Sequence, residues 1–192
     1  LLKETEQRNA ELAVINSVQE GLVAQMDMQG IYDLVGDKIR NIFDAQVVII
    51  GTFDHAADLE LFQYMFEKGE RYYPEPRTIA SVRSHLIRTR QLVLINENFE
   101  QGLIDFGGGR AIPGTEMPKS AVWVPLAVAE TVRGYISLQN IDREHAFSDS
   151  DVRLLTTLAN SMSVALENAR LFDETNRLLK ETETRAAELA II

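Results

Sequence analysis

Ser120-Ala121-Val122-Trp123-Val124-Pro125-Leu126, followed by Gly134-Tyr135-Ile136-Ser137-Leu138-Gln139-Asn140, is the pair of segments on which the fold turns. Val122, Val124 and Leu126 alternate with Ala121, Trp123 and Pro125, the period of two that sends successive side chains to opposite faces of a strand. Ala129-Glu130-Thr131 supplies a turn, so Ser120 to Ile141 predicts a hairpin. Neither side of it carries enough polar residues to lie in water. The sheet is therefore expected to be covered twice, by the terminal helices on one face and by shorter helices and loops on the other, where a pocket would form.

Working upstream, Ala45 to Asp54 is β-branched and apolar enough for a central strand, with a turn at His55 to Asp58 and a second strand at Leu59 to Phe66. Glu67-Lys68-Gly69-Glu70 turns out of it. A helix with Ile79, Val82, Leu86 and Ile87 on one side is predicted from Thr78, then a short strand at Leu92 to Ile95 and a helical piece around Phe99 to Phe106. Ile31, Leu34, Val35, Ile39, Ile42 and Phe43 place another helix between a break at Asp27-Met28 and Asp44. Gly107-Gly108-Gly109 with Pro113-Gly114 reads either as a plain mobile loop or as a lid over a pocket; it lacks the G-K-[ST] ending of a phosphate loop.

The two ends repeat each other. LLKETEQRNAELAVI (Leu1 to Ile15) returns as LLKETETRAAELAII (Leu178 to Ile192) with three substitutions, which predicts a tandem array of connector and sensor units. Both copies are rich in helix formers and free of Gly and Pro. The last helix is predicted from Ser148, a hydroxyl cap with Asp151 three positions on. Leu155, Leu158, Met162, Ala165, Ala169, Phe172, Asn176, Leu179, Glu183, Ala186 and Ala190 then form a heptad seam, polar at Asn176 and Glu183. From Ser148 to Ile192 such a helix runs about 65 Å, too long for one small domain to cover. Leu12, Ile15, Gln19, Leu22 and Met26 give a matching stripe near the start, and two such helices per subunit predict a parallel homodimer. The expected division is residues 1–26 as a connector and dimerisation helix, 27–147 as the sensor core, and 148–192 as a helix that packs on the core and continues as a coiled-coil connector.

Composition narrows the function classes. A net charge of -10 opposes nucleic acid and anionic bilayers as partners. Without a run of roughly 18 apolar residues, the chain predicts no direct membrane contact and a cytoplasmic location. The sequence has no Cys, which removes thiolate nucleophiles, disulfides and Cys-held metals; His55, His85 and His145 fit no compact metal motif. There is no G-x-S-x-G elbow, and Asp105 with His85 is a weak acid–base pairing, so no enzyme is expected.

Three stretches together resemble the GAF domain family, a small-molecule sensory module of bacterial signalling proteins and cyclic-nucleotide phosphodiesterases. They are Ser84 to Asn96, the hairpin segments Ser120 to Leu126 and Gly134 to Asn140, and Phe147 to Leu155 continuing through Leu158-Ala159 and Glu167 to Leu171, spread over residues 17 to 172. The resemblance implies an α/β (α+β) fold: a six-stranded antiparallel sheet with helices on both faces and long terminal signalling helices. It also implies a cavity beside residues 78 to 118. Carried over by position, its lining comprises Phe53, Tyr64, Phe106, Trp123 and Ser137, with Arg83 and Asp105 as polar contacts. Trp123 illustrates the competing reading, since an aromatic on a strand is more often core than ligand contact.

Where the chain departs from the family, Arg90 stands at a position often Gly, near the cavity side or its rim. Asn140-Ile141-Asp142 replaces the Asn-Lys-Phe of cyclic-nucleotide binders, and bilin attachment or methionine sulfoxide reduction would need Cys. The cofactor is left unnamed, a haem held through His85 beside Arg83 and Arg88 being one conceivable case. The function expected is a dimeric sensory domain of a multidomain signalling protein that takes a small-molecule ligand and controls a downstream output domain. The alternative is a ligand-free dimerisation spacer or protein-interaction module.

Overall fold

The predicted hairpin is present as β6 (Ser120–Val128) and β7 (Thr131–Asn140), closed by Ala129 and Glu130, with Ala129 at φ 51°. A positive φ is what a two-residue hairpin loop needs to follow the strand twist. In a computed structural model describing residues 2–24, 27–43, 45–109 and 111–189, the hairpin joins β1 (Val47–Asp54), β2 (Leu59–Glu67), β3 (Glu70–Arg71), β4 (Arg77–Thr78) and β5 (Val93–Ile95). The order is β3-β2-β1-β7-β6-β5, with β4 on β2, and every pairing is antiparallel. The sheet has seven strands among the described residues, where six were expected. The additional ones are two-residue strands: Lys68 and Gly69, both at positive φ, fold Glu70–Arg71 back on β2, and Arg77–Thr78 pairs with Leu59–Glu60. Thr78 is thus strand rather than helix start.

Helices α1 (Leu2–Ala24), α2 (Met28–Ile42) and α5 (Asp149–Leu189) cover one face, while α3 (Val82–Thr89), α4 (Phe99–Ile104) and the loop to Pro118 cover the other. Val48, Ile50, Val122, Val124, Leu126, Ile136 and Leu138 point to the long helices. Val47, Ile49, Phe53, Met65, Trp123 and Tyr135 point to the short ones. The alternation read from the hairpin therefore places two cores on one sheet.

The capping signals hold. Ser148 N–H donates to Asp151 Oδ2 at 2.8 Å and Asp151 N–H donates to Ser148 Oγ at 3.2 Å, a reciprocal box that starts α5. Asp27 Oδ1 accepts from Gly30 N–H at 2.9 Å and starts α2. Arg90 ends α3 in the left-handed region and its guanidinium pairs with Glu130, so it lies at the hairpin's turn and not at a cavity.

The heptad seam divides in two. Leu155, Leu158 and Met162 are fully buried in the domain's own core, whereas Phe172 and Leu179 are exposed. On α1 the buried positions are Val18 and Leu22, with Val14 and Ile15 partly covered, and Leu12 of the expected stripe faces solvent. Leu1, Met26, Asp44, Ala190 and Ile192, which figured in the sequence reading, lie outside the described residues.

Candidate functional site

On the short-helix side the sheet does not close completely. A cavity of about 50 Å³ lies between its floor and a roof formed by Gly109 and residues 111–118. Strands β1, β2, β6 and β7 supply Ile49, Met65, Glu67, Trp123 and Gln139; Ser81 and Arg83 come from the start of α3, and Phe99 and Leu103 from α4. Ser81, at φ 56°, turns the chain from β4 into α3 and brings both residues to the cavity.

Beside the cavity is a buried ion network. Glu60, 1% exposed, accepts from Arg77 Nε at 2.7 Å and from Arg83 Nε at 3.0 Å, and Tyr135 Oη donates to it as well. Arg83 also donates to Tyr135 Oη at 3.3 Å, and its guanidinium carbon sits 5.1 Å from the Tyr135 ring centroid and 5.9 Å from that of Trp123. Burial pushes the Glu60 carboxyl up, but the charges of the two arginines and their hydrogen bonds outweigh it and hold it below the usual carboxylate range. Burial raises the Tyr135 phenol, which stays a neutral donor.

The cavity also collects polar atoms that have no partner. Among the described residues four buried side-chain polar atoms make no hydrogen bond, and three of them, Glu67 Oε2, Ser81 Oγ and Trp123 Nε1, belong to residues lining this one space. Glu67 is 3% exposed and Trp123 2% exposed. The other Glu67 oxygen accepts from Glu116 N–H at 3.3 Å. Burial is the largest influence on the Glu67 carboxyl, and its pKa is raised. Native proteins rarely leave such groups unsatisfied, because each forfeits its hydration without return.

A pH dependence follows from the sign of that shift. Between the ordinary carboxylate pKa and the raised one, the unfolded chain releases its Glu67 proton before the folded chain does, so this group favours folding at lower pH and loses that contribution as pH rises through its folded value. Glu67→Gln is expected to remove this decline. Thermal melts of both proteins between acid and neutral pH check it: the variant's relative stability should grow with pH, and parallel curves would refute the assignment.

Of the residues expected at the cavity, Arg83 and Trp123 line it. Ser137 lies on the same face, opposite Trp123 in the β6–β7 ladder and fully buried, where it accepts from Gln139 Nε2 at 3.3 Å. Phe53 packs away from the cavity against the rings of Tyr135 and His55. Phe106 meets His85 edge-on at 4.9 Å, Asp105 is exposed, and no hydrogen bond joins Asp105 to His85 among the described residues. Tyr64 is a correction. It belongs to the opposite core, over Gly36, with its hydroxyl donating to Asp37 at 2.8 Å and its pKa pushed up to about 12 by burial and that bond.

The cause is a bulge. Phe62 pairs with Gly51 and Tyr64 with Ile50, leaving Gln63 unmatched, so the alternation of β2 changes phase there. Met65 and Glu67 turn to the cavity and Tyr64 turns away. Glu67 was missed for this reason, while Ser81 and Gln139 stand on other segments, before α3 and on β7, and carry no local sequence signal that points to the cavity.

A second surface lies across the sheet. An open apolar groove of about 780 Å³ runs between the end of α1 and the middle of α5, lined by Leu22, Val23, Val164, Ala165, Ala169 and Phe172 among others. Val23 and Val164 are 86% and 62% exposed. Among the described residues no helix is long and apolar enough to cross a membrane, and no group of three or more His, Asp or Glu could hold a metal ion.

A helix-flanked antiparallel sheet with a small cavity on one face and long terminal helices on the other is the architecture these residues build. The chain belongs to the GAF domain family, whose model matches residues 25–167. The formate hydrogenlyase transcriptional activator of Salmonella typhimurium is 20% identical over 177 residues, covering 86% of this chain, and the chain spans 24% of that protein's length. The GAF domain of a phosphoenolpyruvate-protein phosphotransferase from Coxiella burnetii has a similar fold, with a TM-score of 0.70 at 11% identity over 85% of this chain and 96% of its own. The corresponding Acinetobacter domain gives 0.66 at 15% identity, covering 85% and 96%.

Proposed function

We propose that this GAF domain is the dimeric input unit of a longer cytoplasmic signalling protein, binding a small molecule in the cavity beside Trp123 and passing the change through α5 to an output domain. The observation that carries the sensing part is that Glu67, Ser81 and Trp123, each with a buried polar atom bonded to no other protein group, line one space. A ligand that hydrogen-bonds to them would favour one arrangement of the cavity over another, and a signal requires such unequal binding to two states. The Salmonella relative's name as a transcriptional activator supports an output of that kind. Crystals grown with and without a metabolite extract test it. Density bonded to those atoms supports sensing, and a cavity unchanged by the extract refutes it. The spacer reading is favoured by the cavity's small size and would then stand.

The dimer is carried by the groove between α1 and α5, continuous with the exposed Phe172 and Leu179 of the seam. Two copies aligned in parallel would cover both. Val164→Glu with Phe172→Glu is expected to turn a dimer into a folded monomer in light scattering; a wild type that is monomeric at every concentration overturns the proposal. Asn176 and Glu183 lie exposed in the second half of α5. Replacing both with Leu is expected to raise the melting temperature of the dimer, since polar seam residues lower stability.

A further inference from the structure

The sensing reading leaves the ligand's chemistry open, and the groups around the cavity restrict it. Resting on that reading, we infer that the ligand is a small cationic or neutral molecule that donates hydrogen bonds to Glu67 and accepts one from Trp123, and that small anions are excluded. Size comes first. A space of about 50 Å³ is far below the several hundred Å³ of pockets that hold drug-sized ligands, so an occupant that leaves the roof in place is a small molecule.

Polarity follows from the unpartnered atoms. Glu67 Oε2 can only accept while ionised, Trp123 Nε1 can only donate, and Ser81 Oγ does either. An occupant therefore needs at least one donor and one acceptor. Charge is set by what is already engaged. The Nε atoms of Arg77 and Arg83 and one terminal nitrogen of Arg83 are bound to Glu60 and Tyr135, and the Lys68 ammonium is held by Glu116 at 2.6 Å. Among the described residues Glu67 is the buried carboxylate with an oxygen that no protein group bonds, and it lines the cavity. An anion seated there would face that oxygen out of water, where like charges repel most strongly, whereas an ammonium or amide N–H would satisfy it.

Acetamidinium, acetamide and acetate have nearly the same planar shape and differ in charge, which makes them the probes. The sequence contains a single Trp, so the one indole N–H resonance of ¹⁵N-labelled protein reports on Trp123. Titrated at matched ionic strength, acetamidinium and acetamide are expected to move that resonance saturably, while acetate does not. Glu67→Gln is expected to weaken acetamidinium by about tenfold or more and to spare acetamide. Acetate moving the resonance as strongly as acetamidinium would overturn the ligand class and leave the sensing site intact. If all three leave it unmoved, the class is wrong, and the sensing reading falls with it only when a metabolite extract also has no effect. The wild-type series decides the charge class whether or not the variant folds.

Discussion

Glu60→Ala is expected to destabilise the domain by about 3–5 kcal/mol, the usual cost of leaving a buried charge without its partner. Arg83 lies between the sheet and α3 with its charge over the Trp123 and Tyr135 rings, and Glu60 is its counterion. Removing the carboxylate strands that guanidinium, frees Arg77 from β2, and takes an acceptor from the buried Tyr135 hydroxyl. Three elements lose a common anchor, since Glu60 is on β2, Arg77 on β4 and Arg83 on α3. Urea unfolding at neutral pH measures the loss, and a change under about 1 kcal/mol would mean that the network behaves like an exposed pair. The pH sign is opposite to that of Glu67. With its folded pKa depressed, Glu60 contributes stability that is complete above the ordinary carboxylate range and disappears as pH falls through the lower folded value. The gap between wild type and variant should therefore narrow on acidification.

Gly134→Ala is expected to cost about 3 kcal/mol or more, at the upper end for overpacking. A methyl group there would lie 2.2 Å from the Gly51 carbonyl oxygen and 3.1 Å from Thr52 Cα. Both are backbone, so relief requires β1 and β7 to part, and these are neighbouring strands in the middle of the sheet. Two other glycines grade the effect. At Gly51 a methyl would meet the Tyr135 ring at 2.5 Å, a side chain able to move only by leaving Glu60, and a smaller loss is expected. At Gly69 nothing lies within 4 Å and φ is 94°, so only the backbone preference is lost, about 1–2 kcal/mol. Thermal melts of the three variants should rank in that order. A Gly134→Ala protein as stable as wild type would sink the account.

Much of this was legible before any coordinates. The hairpin from Ser120 to Asn140, the cap at Ser148 and the separation of the sheet into two apolar faces are local patterns, and local patterns survive into the fold because a strand's alternation and a helix's cap depend on residues a few positions apart. Trp123 was found at the cavity because no register shift in β6 precedes it, and Arg83 because it opens α3. Tyr64 was misplaced and Glu67 overlooked because a single unmatched residue, Gln63, inverts the facing of everything after it in β2.

The sequence by itself determined the longer elements, the near-identical repeats at its two ends, and the class of protein they build. The tertiary structure decided which polar groups meet. Glu60 is 17 residues from Arg77, 23 from Arg83 and 75 from Tyr135 along the chain, and Glu67, Ser81 and Trp123 come from three different elements and their connections. No periodicity encodes such encounters. They depend on strand register and on where a bulge falls, which packing of the whole sheet selects.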